Sequence, residues 1–288
     1  MIKTINLGVL GIDHGHIFDM LDEMLKEGCS CNYFWTEGSP LTLDEFSKKY
    51  PQIKRVDNKS DILNDDTIDM ILISSIPKDR ANLSIDAMKA GKDVMVDKPG
   101  CTTLEQLNNL KQTVKETGKI WSINFSERFH VAAVTKAEEL VAEGKIGKVK
   151  QTIGTGPHRQ GNYERPDWFY DRDSYGGIIT DIGSHQIHQF LVFTNSNEAK
   201  VNHALVENTT RKEFAGFQDF GEVNLTGNGG HGYVRLDWFT PDALPTWGDG
   251  RLLILGDKGF IEIRKYTDLA KSEKGNHLPS PQVGSASG

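Results

Sequence analysis

Ile5-Asn6-Leu7-Gly8-Val9-Leu10-Gly11-Ile12-Asp13-His14-Gly15-His16 is the stretch on which the reading of this chain turns. The run from Ile5 to Leu10 has the length of a buried strand and Gly11 ends it; Ile17, Met20, Leu21, Met24 and Leu25 then recur at helical spacing until Gly28 supplies a stop. The alternation continues. Cys31 to Thr36 reads as a second strand, and Thr42 with Glu45 has the spacing of a capping box opening a helix through Tyr50. Asp69 to Ile76 is a third strand, followed by the helical pattern Ala81, Ile85, Met88 that closes at Gly91. Asp93 to Val96 is a fourth strand. Leu104, Leu107, Leu110 and Val114 form a helix face with Thr103 and Gln106 at its start, and Lys119 to Ile123 is a fifth strand. Strand and helix in strict succession predict a parallel, doubly wound α/β sheet with right-handed crossovers.

A sheet of this kind places a Rossmann-type dinucleotide-binding domain over residues 1–124. After about residue 125 the pattern changes. A helix around Val131 to Glu143 ends at Gly144, Val234, Leu236 and Trp238 alternate with Arg235 and Asp237, and Leu252 to Leu255 and Phe260 to Ile263 flank a hairpin connection. This predicts an α+β domain with a mostly antiparallel open sheet over residues 125–271, followed by a flexible tail over 272–288 that is rich in Pro, Ser and Gly.

The 288 residues carry 33 Lys and Arg against 40 Asp and Glu, a net charge of −7, and 37% are hydrophobic. Ordinary cores fit this composition, and the acidic balance without a long basic run argues against nucleic acid and anionic membranes as partners. Met1 to Leu10 is too short and too soon broken by glycine for a signal segment, and no stretch reaches the length of a membrane span, so a cytoplasmic location is expected. Cys29, Cys31 and Cys101 fit no zinc spacing and leave an odd thiol; they are expected to pack as small apolar residues.

A dinucleotide fold favours G-x-G-x-x-G at its first turn, so that backbone can approach a pyrophosphate at a helix N-terminus. Here only Gly11 is in register, with Asp13 and His16 in the second and third places. Asp13 sets a carboxylate near the expected pyrophosphate, whereas His16 offers an imidazole to it. Glu37, about 20 residues on at the end of the second strand, is placed to bind an adenosine ribose diol, which favours NAD while leaving NADP open. Further along, a helix over Asp181 to His188 sets Asp181, His185 and His188 within about 60° of one another, with Ile182, Ile187, Phe190 and Leu191 opposite. Carboxylate and imidazole on one face supply proton carriers for an enzyme.

Ala87-Met88-Lys89-Ala90-Gly91-Lys92-Asp93-Val94-Met95-Val96-Asp97-Lys98-Pro99 resembles the A-x-x-A-G-K-H-V-x-x-E-K-P signature of the glucose-fructose oxidoreductase, inositol dehydrogenase and MocA (Gfo/Idh/MocA) family. Gly176-Gly177-Ile178-Ile179-Thr180-Asp181-Ile182-Gly183-Ser184-His185 resembles that family's G-G-G-x-x-x-D-x-G-x-H. The resemblance implies an NAD(P)-dependent oxidoreductase of sugars, cyclitols or their derivatives, and a homodimer or homotetramer. It implies that Lys98 stabilises the alkoxide that develops as hydride leaves, that Pro99 fixes the loop and is a candidate for a cis bond, that His185 is the general base, and that Asp181 holds substrate or tunes the pair. The cofactor set it implies comprises Gly11, Ile12, Asp13, His14, His16, Glu37, Ser75, Pro77, Asp97, Lys98 and Arg128. His158, Arg159, Tyr163 and Trp168, in a loop with donors and an aromatic face suited to a polyol, are expected with His188 to line the substrate pocket.

Asp97 stands for the family's glutamate, Arg80 for a histidine found in many members, and His188 for the usual aspartate. NAD-dependent glycoside cleavage, in which transient oxidation acidifies a C–H for elimination, is an alternative within the family. A non-catalytic sugar or nucleotide sensor is another, motivated by the altered glycine turn. A metal hydrolase using Asp13, His14 and His16 is the third, with Asp181, His185 and His188 as a further conceivable metal face; the strand pattern leaves too few units for the barrel it requires, and no metal is expected.

Overall fold

The computed structural model describes residues 4–161, 165–244 and 246–266. Tyr163 and the tail expected over 272–288 lie outside the described residues. Two compact units divide the chain, one built from Met1–Asn124 with Pro166–Gly176, the other from Phe125–Arg165 and the described residues from Gly177 onward.

In the first unit the elements run β1 (Asn6–Leu10), α1 (His16–Lys26), β2 (Ser30–Trp35), α2 (Leu43–Lys49), β3 (Lys54–Arg55), α3 (Lys59–Leu63), β4 (Met70–Ile73), α4 (Arg80–Lys89), β5 (Asp93–Asp97), α5 (Leu104–Thr117) and β6 (Trp121–Asn124). Among the described residues they form a six-stranded sheet in the order β3-β2-β1-β4-β5-β6, every pair parallel. This is the doubly wound sheet that the alternation predicts, with the reversal of strand order between β1 and β4. Strands buried on both faces explain the unbroken apolar runs. One side packs Phe18, Leu21, Phe34, Phe46 and Tyr50, and the other Ile62, Ile71, Ile73, Ala87, Val94 and Leu110.

Two local expectations meet different outcomes. Thr103 caps α5, its hydroxyl accepting from the Gln106 amide at 3.1 Å. Thr42 does not cap α2; its hydroxyl donates to the carbonyl of Ile12. The predicted capping box is therefore absent there, because a tertiary acceptor in the first turn takes the hydroxyl that a local amide would otherwise engage. The strand β3 has no sequence signal, since both its residues are exposed and only pairing with β2 makes it a strand.

From Phe125 the chain forms α6 (Ser126–Phe129), α7 (Ala132–Ala142), β7 (Val149–Pro157), then α8 (Arg172–Tyr175) within the first unit, followed by α9 (Ile178–Asp181), α10 (Gly183–Phe193), β8 (Ala199–Glu207), β9 (Phe220–Gly227), β10 (His231–Asp237), β11 (Arg251–Gly256) and β12 (Phe260–Arg264). The second sheet has the order β12-β11-β7-β10-β9-β8. It is antiparallel except for the β7–β10 pair.

Helix α10 lies close on this sheet because glycines pave the contact. A Cβ on Gly154 would stand 2.9 Å from Gln186 Cγ, one on Gly156 2.9 Å from Ile182 Cγ2, and one on Gly232 2.7 Å from Phe190 Cδ2. This corrects the two-sided reading of residues 181–188. Asp181 ends α9 and α10 begins at Gly183, and the buried face combines Ile182 and Phe190 with His185, Gln186 and Gln189, while Ile187 and Leu191 are only half-buried. Glycines on the sheet admit polar side chains that would otherwise stay outside.

Phe46 tests the core of the first unit. It is fully buried, with ring centroids 4.8 Å from Phe34 and 4.9 Å from Tyr50. Phe46→Ala is expected to lower stability by about 3–5 kcal/mol, read as an earlier urea midpoint with unchanged slope.

Candidate functional site

The first turn is bracketed by its neighbours. Gly11 N donates to the Trp35 carbonyl at 2.7 Å, Ser74 N to the Gly11 carbonyl at 3.2 Å, and His14 N to the Ser74 carbonyl at 3.0 Å. Gly11 has φ +79°, and a Cβ there would stand 2.4 Å from Ser75 Cβ, so only glycine fits. Beside it opens a cavity of about 320 Å3 lined by Gly11, Asp13, Trp35, Glu37, Gly38, Lys59, Ser75, Ile76, Asp79, Asn82 and Leu83. It lies where the strand order reverses, the usual ligand position in an open α/β sheet. An aromatic and aliphatic wall for a base and an exposed carboxylate, Glu37, for a ribose diol fit the adenosine half of a dinucleotide.

The acids in this cavity do not share one state. Burial pushes the Asp13 carboxyl up to about 6, against its own backbone amide and the Arg80 guanidinium, with Asp79 adding to the rise. Burial also raises Asp79, opposed by Lys78 and assisted by Glu37.

Next to the cavity a second cluster converges on Asp97. This carboxylate is fully buried at the end of β5. Arg80 Nη2 lies 2.9 Å from its Oδ2, His16 Nδ1 lies 2.8 Å from its Oδ1, and His14 Nδ1 lies 3.4 Å from its Oδ2. Burial alone would raise the carboxyl, but Arg80, then His16 and His14, outweigh it and hold it well below the usual range. His14 is pushed well below its ordinary value by burial and by His16, despite Asp97, and so is neutral at pH 7. Its ring also faces Trp168 at a centroid distance of 6.4 Å.

Arg80 itself is fully buried. Its Nε donates to the Ser75 carbonyl at 2.8 Å, and its Nη1 donates to the carbonyls of Lys98 and, at 3.5 Å, Pro99. One guanidinium thereby ties the loop after β4 to the loop after β5 that carries buried Lys98 and the cis Lys98–Pro99 peptide. The ligand-type atoms of His14, His16 and Asp97 lie within 4.8 Å of one another, a spacing open to a metal ion. Arg80 occupies the same carboxylate oxygen, so the set is a charge network built around a guanidinium.

The other anticipated residues are placed as follows. In the first unit Ile12 and Pro77 are buried and Ser75 nearly so. In the second unit His185 is buried, with its ring 6.1 Å from that of Phe125, and Asp181 is half-buried. His188 stacks on Phe125 at 4.1 Å; burial, then Arg128, pull it down to about 4 against Glu138. Arg128 is clamped by Glu138, with Nε to Oε1 at 2.6 Å and Nη2 to Oε2 at 3.1 Å. Arg159 is bound to the carbonyls of Asp242, Leu244 and Thr246, and His158 lies against Trp238 at 5.2 Å. Trp168, expected in the same loop as His158 and Arg159, belongs to the first unit while they belong to the second.

Arg80, Asp79, Trp35 and Lys59 were absent from the anticipated set. Arg80 had a signal: with Ser84 and Ala87 it shares one helix face, and all three are buried. A cation on a face of small residues needs a buried acceptor.

Fold and cavity together define a two-unit protein whose first unit is a dinucleotide-binding α/β sheet. The chain belongs to the Gfo/Idh/MocA family. Residues 42–125 match the family model described as "Oxidoreductase family, NAD-binding Rossmann fold", and residues 134–262 match the GFO/IDH/MocA C-terminal domain. The first match begins beyond the altered turn. A crystal structure of an Erwinia carotovora atroseptica SCRI1043 protein described as an oxidoreductase is 43% identical, covers 94% of this chain and 81% of its own, and superposes with a TM-score of 0.90. The NADP(+)-dependent scyllo-inositol 2-dehydrogenase IolW of Bacillus subtilis is 24% identical over 66% of this chain and 52% of its own length. The D-xylose dehydrogenase of Paenarthrobacter nicotinovorans is 27% identical over 49% of this chain and 37% of its own. The chain thus spans about half or less of the length of these curated relatives. Among the described residues no helix is long and apolar enough to cross a membrane.

Arg80→Met leaves the buried Asp97 without its guanidinium and is expected to lower stability by about 3–5 kcal/mol. The double variant Arg80→Met/Asp97→Asn, which removes both charges, is expected to lose clearly less in the same urea titration. Equal losses would mean that the pair is not the source of the effect.

Proposed function

We propose that this chain is an NAD-dependent oxidoreductase that moves hydride between nicotinamide and a hydroxyl or keto group of a sugar, cyclitol or sugar derivative. The observation that carries the reading is the cavity beside Gly11, walled by Trp35 and Glu37, with Lys98 fixed on the neighbouring strand end through Arg80. Glu37 accepts from the ribose diol, and a 2′-phosphate in the same place meets Glu37 and Asp79, which favours NAD over NADP. The bound nicotinamide supplies the hydride acceptor or donor. Lys98 stabilises negative charge on the substrate oxygen, His185 takes or returns the hydroxyl proton, and Asp181 orients the substrate. His188, neutral near pH 7, contributes with His158 to substrate binding, and Arg128 lies beside His188.

The family's named sugar and cyclitol dehydrogenases support the substrate class. A cytoplasmic location and a homodimer or homotetramer complete the proposal; exposed Val201, Leu205 and Val206 along β8 support pairing through the second sheet.

Titration followed by NADH fluorescence is expected to show NADH bound at least about tenfold more tightly than NADPH, roughly 1.4 kcal/mol. Lys98→Met is expected to keep NADH binding and to slow turnover of whichever sugar or cyclitol is active by about 100-fold or more. Binding of neither nucleotide would overturn the reading.

A further inference from the structure

We propose that this protein takes up a proton from solvent together with its dinucleotide, and that the Asp13 carboxylate, in the second position of the glycine turn, is the group that receives it. The inference rests on the dinucleotide-binding reading above and adds to it a property of this chain's own turn.

The geometry sets up the conflict. Where the turn pattern has a glycine so that bare backbone can face a pyrophosphate, this chain places a carboxylate on the cavity wall. The groups around that carboxylate do not neutralise it. From the loop after β2 comes Glu37 and from the turn before α4 comes Asp79, both acids on the same cavity. From α3 comes Lys59, whose ammonium is bonded to Asp86 at 2.6 Å. From α4 comes Arg80, whose guanidinium is shared among Asp97 and the carbonyls of Ser75 and Lys98. The following residues of the turn, His14 and His16, direct ring nitrogens at Asp97.

Two negative charges of a pyrophosphate brought against Asp13 disfavour its ionised form, since a like charge within about 4–6 Å raises a carboxyl. The free protein already holds this carboxyl up at about 6 by burial, so a modest further rise carries it past neutrality. Protonation forms an O–H bond at Asp13, removes the repulsion and converts the side chain into a hydrogen-bond donor for a phosphate oxygen. An asparagine of the same shape supplies the donor permanently.

The test is calorimetric titration of NADH into the full chain, in HEPES and in Tris at pH 7.5, with affinity then followed from pH 6.5 to 8.5. The expected result is uptake of a clear fraction of a proton per NADH at pH 7.5, with affinity falling by less than about tenfold per pH unit, most steeply at the neutral end of the range. Asp13→Asn and Asp13→Gly are expected to bind NADH with the uptake lost and the pH dependence flattened; two variants guard against one that folds poorly. NADH binding by the wild type without uptake overturns this proposal alone. Uptake equal to the wild type's in both variants also overturns it, since another group then takes the proton. Absence of NADH binding at every pH overturns the dinucleotide reading itself and this proposal with it.

Discussion

A fully buried guanidinium against a fully buried carboxylate is the constraint around which the first unit is arranged. Removing two such charges from water is costly, and the cost is met only if every strong donor and acceptor finds a partner. Arg80 goes most of the way: Nε and Nη1 donate to the carbonyls of Ser75, Lys98 and Pro99, and Nη2 lies 2.9 Å from Asp97 Oδ2 as an ion pair without hydrogen-bond geometry. Because its partners lie on two different strand ends, the pair also sets the distance between the loop after β4 and the loop after β5. The position of Lys98 is thus a consequence of where Arg80 can sit.

The two histidines of the first turn extend the same network. His14 and His16 approach the Asp97 carboxylate from a third strand end, so the ends of β1, β4 and β5 are joined through one acid. A glycine turn leaves this space for a ligand's phosphates; here side chains fill part of it, and the cavity that stays open lies on the side of Trp35 and Glu37. The altered turn thus carries a charge network among His14, His16, Arg80 and Asp97 where a glycine turn would offer bare backbone.

In the second unit the equivalent constraint is steric. Glycines at 154, 156 and 232 let α10 settle onto the sheet, and this draws His185, Gln186 and Gln189 into the packed face. Stacking on Phe125, together with Arg128 nearby, keeps His188 in its neutral form. Arg128 and Arg159, which look available in the sequence, are both bound within the unit by Glu138 and by three loop carbonyls.

What the sequence determined by itself is the order and kind of the elements. Apolar runs between glycine stops and helical spacings such as Ile17, Met20, Leu21 and Met24 are local patterns, and a parallel doubly wound sheet is the arrangement that buries them. The two family-like stretches likewise placed Lys98 and His185 on their elements. Only the tertiary structure decided what those residues touch. Thr42 has a local cap within reach and bonds Ile12 instead; Lys54 and Arg55 form a strand only because β2 is beside them; and His16 meets Asp97 across 81 positions of chain. Periodicity reports which face of an element is apolar, whereas the convergence of charged groups depends on which strand ends the sheet register brings together, and no local pattern contains that register.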